Sequence, residues 1–317
     1  MIEPGGEMDA QERREATGQT GAGRAEAGQG ARGRAGQAPA RLLHLSDLHF
    51  GKVLPELVEP LIAAAHALAP EIVVISGDLT QRARDHQFAE ARAFVDRLPA
   101  PVLCVPGNHD VPLDRPLSRW LRPWRGWRAH LGAELEPEWR GPGFHVVGVN
   151  TVDRSEWQRG KIRAGQLARV RAAFETASEP VAGAARPPLR VVAAHHPFEA
   201  LPDDGKSLMR GAADGARALA GACDLVLTGH LHRWHVGPLA AGPDGPERAT
   251  RPGAVQAHAG TGLSSRLRGQ ENDFNLVEVA GDRVTLTRHL APGGALAFEP
   301  AEVRRFLRGP EGLISAD

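Results

Sequence analysis

Read for apolar and polar positions, the chain repeats one phrase: a short apolar run, a polar break, then a longer stretch with apolar residues at helical spacing. Leu42, Leu43 and Leu45 predict a strand that breaks at Ser46, and residues 54–69 predict a helix that stops at Pro70. The run Ile72, Val73, Val74, Ile75 has the β-branched texture of a strand covered on both faces. Residues 85–98 predict a second helix, closed by Pro99, and 102–105 a third strand. Strand, helix, strand, helix, strand in that order points to parallel α/β construction with right-handed crossovers. The phrase recurs, with strands predicted over 144–149, 189–194 and 225–227 and helices over 165–176 and 207–220. Beyond a Pro- and Gly-rich stretch at 240–253, the runs 255–258, 274–279 and 284–289 predict strands completing a second sheet, and 302–307 is helix-like.

Two stretches depart from this texture. Residues 1–40 are mostly Gly, Ala, Arg, Gln and Glu, too poor in large apolar side chains to offset chain entropy, which predicts a disordered low-complexity tail. That leaves 41–308 as a single domain, with a short tail at 309–317. Inside the domain, 113–140 carries Trp120, Trp124, Trp127 and Trp139 among six arginines, interrupted by Pro116 and Pro123. The spacing of Trp120, Trp124, Trp127 and Leu131 predicts one aromatic helical face with cationic flanks. It reads first as a cover packed on the core and second as a lid over a phosphate-bearing substrate.

Composition narrows the function classes. Lys plus Arg total 38 and Asp plus Glu total 38, so no bulk field draws the chain to nucleic acid or an anionic membrane. The only cysteines, Cys104 and Cys223, border apolar runs and suit reduced buried thiols, which makes a cytoplasmic setting the expectation. No apolar run approaches the ~20 residues that span a bilayer, and the first residues lack the apolar core of a signal peptide.

Candidate chemistry collects where the predicted strands end, the edge at which parallel α/β sheets gather ligands. Asp47 and His49 follow the first strand, two residues apart, so in an extended segment both would face one side. Asp78 follows the second strand through Gly77; Asn108, His109 and Asp110 follow the third through Pro106 and Gly107. His195 and His196 precede Pro197, and His230 and His232 repeat the spacing of Asp47 and His49. Counting one of the His195–His196 pair, the inventory is two carboxylates, one amide and four imidazoles, with no thiolate. That is too many donors for one ion and enough for two if Asp78 bridges them. Mixed nitrogen and oxygen donors suit Mn, Fe, Zn or Co better than calcium or magnesium. His109 is the candidate proton donor, with Asp110 placed to orient its ring and keep it protonated. His44, inside the first apolar run, reads as a core histidine.

Five blocks in this order, Asp47-Leu48-His49, Gly77-Asp78, Gly107-Asn108-His109-Asp110, His195-His196-Pro197 and Gly229-His230-Leu231-His232, resemble the calcineurin-like metallophosphoesterase superfamily. Within it, the Gly-Asn-His-Asp and His-His-Pro blocks look most like the bacterial cyclic-nucleotide phosphodiesterase group. The resemblance implies a four-layer αββα sandwich, two mixed β-sheets face to face with helices outside. It implies one metal held by Asp47, His49, Asp78 and His232 and another by Asp78, Asn108, His195 and His230, with His196 standing behind them. The implied cofactors are two divalent or mixed-valence transition-metal ions such as Mn, Fe or Zn.

A hydroxide between the two ions would attack phosphorus in line with the leaving alkoxide, while His109 gives that group a proton. The expected substrate is a small phosphoester, with phosphodiesters such as cyclic nucleotides favoured. Two alternatives stand: a pyrophosphatase acting on a nucleotide-linked sugar or lipid precursor, with 113–140 as a lid, and a non-catalytic protein-binding scaffold. A homo-oligomer is left open. The stretch from Gly260 to Gln270, with Arg266 and Arg268, reads first as a solvated connection and second as an arm that reaches phosphate.

Overall fold

The computed structural model describes residues 38–176, 179–182, 184–201, 204–239, 253–293 and 295–317, so most of the expected tail at 1–40 and of the loop at 240–253 lies outside the described residues. The first three apolar runs form β1 (Ala40–Leu45), β2 (Ile72–Ile75) and β3 (Val102–Cys104), side by side and parallel. The connections between them carry α1 (Val58–Leu68) and α2 (Asp85–Val95), the helices the spacing predicts. On the other side of β1 the sheet continues antiparallel through β10 (Asp273–Ala280), β11 (Arg283–Leu290), β12 (Glu299–Gly309) and β13 (Gly312–Ser315). A second mixed sheet has the order β4 (Glu138–Arg140), β5 (Phe144–Val149), β6 (Leu189–Ala194), β7 (Leu225–Thr228), β9 (Val255–His258), β8 (His235–Pro238). There β5, β6, β7 and β9 are parallel.

Period-two alternation along the strands sorts side chains into three apolar cores, and three cores separate four layers. Leu43, Leu45, Val73 and Ile75 face the helices, packing with Leu61 and Ala65 of α1 and Phe88 and Phe94 of α2. Their neighbours Leu42, Ile72 and Val74 point the other way, against Phe144, Val191, Leu225 and Val277, and fill the space between the sheets. The third core joins Val147, Val192 and Val226 to Val170 and Phe174 of α5 (Ala164–Thr176) and Ala216 and Leu219 of α6 (Ala212–Leu219). The architecture is the expected sandwich of two mixed sheets flanked by helices.

Four expectations change. The strands at 274–279 and 284–289 do not complete the second sheet: β10 pairs antiparallel with β1, Val277 opposite Leu42. Alternation tells which face of a strand is covered, not which edge it joins. Residues 302–307 are not helical but lie inside β12, and the supposed tail at 309–317 contains β13, because Gly312 turns the chain at φ +122 and lets the two segments pair. The aromatic stretch is not one helix; it is α3 (Pro116–Leu121) and α4 (Arg125–His130), parted at Pro123, which has no N–H to continue a helix.

The predicted aromatic face is therefore split. Trp127 is buried beside Phe88, with ring centroids 6.5 Å apart, whereas Trp120 is 54% exposed under the Arg154 guanidinium. Arg119 is buried and donates to the carbonyls of Pro112, Asp153, Arg154 and Glu156, tying α3 to the loop after β5. Cys104 and Cys223 are free thiols, Cys223 fully buried. Among the described residues no helix is long and apolar enough to cross a membrane.

Candidate metal centre

The loops leaving β1, β2, β3, β6 and β7 meet at one end of the sandwich and are stitched to one another by backbone hydrogen bonds. Asp47 N donates to Gly77 O at 3.0 Å, His49 N to Asp78 O at 2.9 Å and Gly229 N to His195 O at 3.1 Å. The backbone there is not extended. Asp47, His49, Asp78, His230 and His232 have φ between 51° and 71°, and they are five of the seven non-glycine residues with positive φ among the described residues. Such left-handed conformations cost side chains of this kind about 1 kcal/mol or more each. Asp47 and His49 thus converge because each residue is turned, not because a strand presents alternate side chains to one face. Gly229 passes so close to Ser46 and Asp47 that a β-carbon would collide with both side chains.

Two donor groups result. Asp47, His49, Asp78 and His232 are buried and offer ligand atoms all within 4.8 Å of one another. Asp47 Oδ1 lies 3.1 Å from His232 Nε2 and 3.6 Å from His49 Nε2. The second group centres on Asn108 Oδ1, 3.2 Å from His195 Nε2 and 3.0 Å from His230 Nδ1. Asp78 Oδ2 stands between the groups, 3.7 Å from His49 Nε2 and 3.4 Å from His195 Nε2. Its other oxygen accepts from His109 N at 2.8 Å.

Backbone carbonyls set the tautomers. His195 Nδ1–H donates to Ser76 O at 2.8 Å and His232 Nδ1–H to Arg266 O at 2.9 Å, so both Nε2 lone pairs point inward. His49 Nε2 and His232 Nε2 face each other at 3.1 Å, and buried Asp47 Oδ1 accepts no hydrogen bond among the described residues. Lone pairs and an orphaned carboxylate oxygen aimed at one point fit a cation held there. Burial opposes the charge of Asp47, yet His232 and His49 hold its carboxyl well below the usual carboxylate range, and His195 with its neighbours does the same for Asp78. Burial likewise opposes the charge on His195, but the Asp78 carboxylate lifts its pKa to about 9, so a cation taken up at Nε2 would displace a proton there.

His196 lies against the rings of His195 and His230 but has no free nitrogen. Nε2–H donates to Gln158 O at 2.9 Å and Nδ1 accepts from the Thr151 hydroxyl at 2.8 Å, which leaves it packing behind the donors.

His109 stands at the rim, its ring 4.9 Å from that of His49. The expectation that Asp110 orients this imidazole is not met. Asp110 turns back to accept from Gly107 N, Leu79 N, Thr80 N and the Thr80 hydroxyl, because four donors converge on it inside the turn. The group that orients His109 is Gln81 O, which accepts from Nδ1–H at 2.8 Å. Burial pushes the His109 pKa down to about 4, with Asp78 resisting, so its resting ring is neutral rather than held protonated by Asp110. Gln81 and Thr151 are the residues that motif reading passed over, and Arg266 lies in the stretch that read first as a solvated connection. Gln81 and Thr151 act through backbone or neighbouring groups that leave no pattern in sequence.

The calcineurin-like phosphoesterase profile matches residues 40–234, which contain every one of these donors. The chain belongs to the calcineurin-like phosphoesterase family. No curated protein matches this chain in sequence. Among solved structures it is similar to the purple acid phosphatase PPD1 of yellow lupin (Lupinus luteus) seeds, with TM-score 0.59 and 12% identity over 84% of this chain and 53% of that one. It therefore spans about half the length of the lupin protein. It is also similar to PhoD, with TM-score 0.59 and 10% identity over 89% of this chain and 72% of that one. A third likeness is to GAP50, the anchor in the inner membrane complex of Plasmodium, with TM-score 0.50 and 12% identity over 84% of this chain and 90% of that one. At these identities the likenesses establish the fold. Among the described residues the donor clusters offer places for two transition-metal ions.

Proposed function

We propose that this phosphoesterase is a dinuclear enzyme that hydrolyses phosphodiesters, with Asp47, His49, Asp78 and His232 holding one ion and Asp78, Asn108, His195 and His230 the other. The observation that carries the reading is the position of Asp78 Oδ2 between the two donor groups. Two cations there would supply Lewis acidity toward phosphoryl oxygens and lower the pKa of water. Two carboxylates against two divalent ions leave net positive charge, which suits an anionic phosphoryl group.

The chain's own residues do the rest. Asp110 pins the turn so that Asn108 and His109 keep their register on Asp78. His109, fixed by Gln81, presents Nε2 to the rim. An anionic ester seated there draws a proton onto Nε2, and His109 then delivers it to the leaving alkoxide. Preference for diesters rests on the likeness of the Gly107–Asp110 and His195–Pro197 blocks to the cyclic-nucleotide group.

The test is hydrolysis of bis(4-nitrophenyl) phosphate against 4-nitrophenyl phosphate, with manganese or with chelator. Faster cleavage of the diester, abolished by chelation and by Asp78→Ala, is expected; an Asp78→Ala protein with wild-type rate would remove the bridging assignment. A second reading is favoured by exposed Trp157, whose carbonyl accepts from the Asn108 amide, and by exposed Leu117, Trp120 and Leu121 on α3. An apolar rim suits a pyrophosphate linked to a lipid, and activity on pyrophosphate bonds alone would replace the diester reading. A purified protein that holds no metal and cleaves none of these would favour a scaffold.

A further inference from the structure

The loop between β9 and β10 enters the site with an unusual cation. Other substantially buried arginines find carboxylates: Arg288 pairs with Asp273 and Glu302, and Arg190 and Arg308 with Asp224. Arg119 spends its donors on four carbonyls. Arg266 is partly buried and among the described residues has no carboxylate partner. Its Nη1 reaches Gln81 Oε1 at 3.4 Å and His109 Nε2 at 3.3 Å, both long, and its Nε and Nη2 have no acceptor among the described residues. A guanidinium partly withdrawn from water and without a carboxylate beside it is completed by an anion that reaches the site.

Its position is fixed. Gly262 N donates to Ser46 O at 3.0 Å, Leu54 N to Leu263 O at 2.7 Å and Ser265 N to Lys52 O at 2.8 Å, while Asn272 Nδ2 donates to Ser264 O at 2.9 Å. The Arg266 carbonyl in turn accepts from His232 Nδ1. The backbone of this residue thus sets a donor ring of the cluster while its side chain waits at the catalytic imidazole.

We propose that Arg266 binds a negatively charged non-bridging oxygen of the substrate's phosphoryl group, closing on it together with His109. The proposal rests on the phosphoesterase reading and narrows it: the ester must carry its charge on phosphorus, as phosphodiesters and pyrophosphates do and neutral triesters do not. A guanidinium carried on this tied loop can offer that oxygen two parallel N–H groups.

The experiment uses Arg266→Ala and Arg266→Lys in the manganese-loaded protein, with inorganic phosphate as the calorimetric probe and metal content measured in parallel. Arg266→Ala should weaken phosphate at least tenfold and lower kcat/KM on bis(4-nitrophenyl) phosphate about a hundredfold, the scale of losing one oriented donor. Metal content should stay at the wild-type value, because the carbonyl that orients His232 remains. Arg266→Lys should recover part of the phosphate affinity, since it keeps the charge but not the fork. Unchanged phosphate affinity in Arg266→Ala overturns the proposal, and so does a loss of affinity that only follows a loss of metal. Wild-type protein that binds neither metal nor phosphate overturns the phosphoesterase reading itself, and this proposal with it.

Discussion

Asp110 is adjacent to His109, yet the two side chains serve different neighbours. One caps a turn with four accepted hydrogen bonds, and the other leans on a carbonyl. Their variants should therefore separate. His109→Ala is expected to keep wild-type metal content and lose about 10² to 10⁴ in kcat, most on esters with poor leaving groups. Metal analysis beside a leaving-group series checks this, and loss of metal would recast His109 as a ligand. Asp110→Asn turns an amide toward donors that need an acceptor, so it should lower stability by about 1–3 kcal/mol in urea unfolding. The pKa seen in the pH dependence of kcat/KM should not move; a clear shift would restore Asp110 to the imidazole. At this scale the donor types were legible because Asp, His and Asn recur in motif spacing where apolar runs stop. Gln81 was not, since its orienting group is a backbone carbonyl that any residue could supply.

The elements show the same division. Strand runs and the helices α1, α2, α5 and α6 follow from period, because each buries one continuous face. The stretch at 113–140 has helical period but cannot form one face, because Pro123 resets the chain. Stability should divide accordingly. Trp127→Ala, which empties a buried site beside Phe88, is expected to cost about 3–5 kcal/mol, and Trp120→Ala no more than about 0.5. Chemical denaturation of both variants measures the contrast, and equal losses would mean that α3 packs as tightly as α4. The left-handed turns at Asp47, Asp78 and His230 were equally hidden: nothing in Asp or His residues announces positive φ, which the crossing loops impose.

Across the whole molecule, the buried interior is not wholly apolar. His44 on β1 bonds to Ser76 and Asn275, and His258 on β9 to Thr228 and Gln256, all fully enclosed. Burial pushes both imidazoles from 6.5 down to about 3. A histidine with a lowered folded pKa binds fewer protons folded than unfolded, so stability rises with pH. Their contribution is complete above pH 6.5 and is lost as pH falls from there toward 3. Urea midpoints from pH 7.5 to 5 should fall with acid, and His258→Gln should shallow that slope by at most about 1.4 kcal/mol per pH unit. A variant with the wild-type slope would mean that His258 is charged when folded.

At this scale too the amino-acid order carried the composition of each layer and the carboxyl-end placement of the site, since both follow from local period and from where apolar runs stop. It put β10 in the wrong sheet, named Asp78 as shared without the distances that set it between the donor groups, and did not bring Arg266 to His109. Those depend on pairings between residues far apart in sequence, 231 positions in the case of His44 and Asn275, which become neighbours only when the sheets stack.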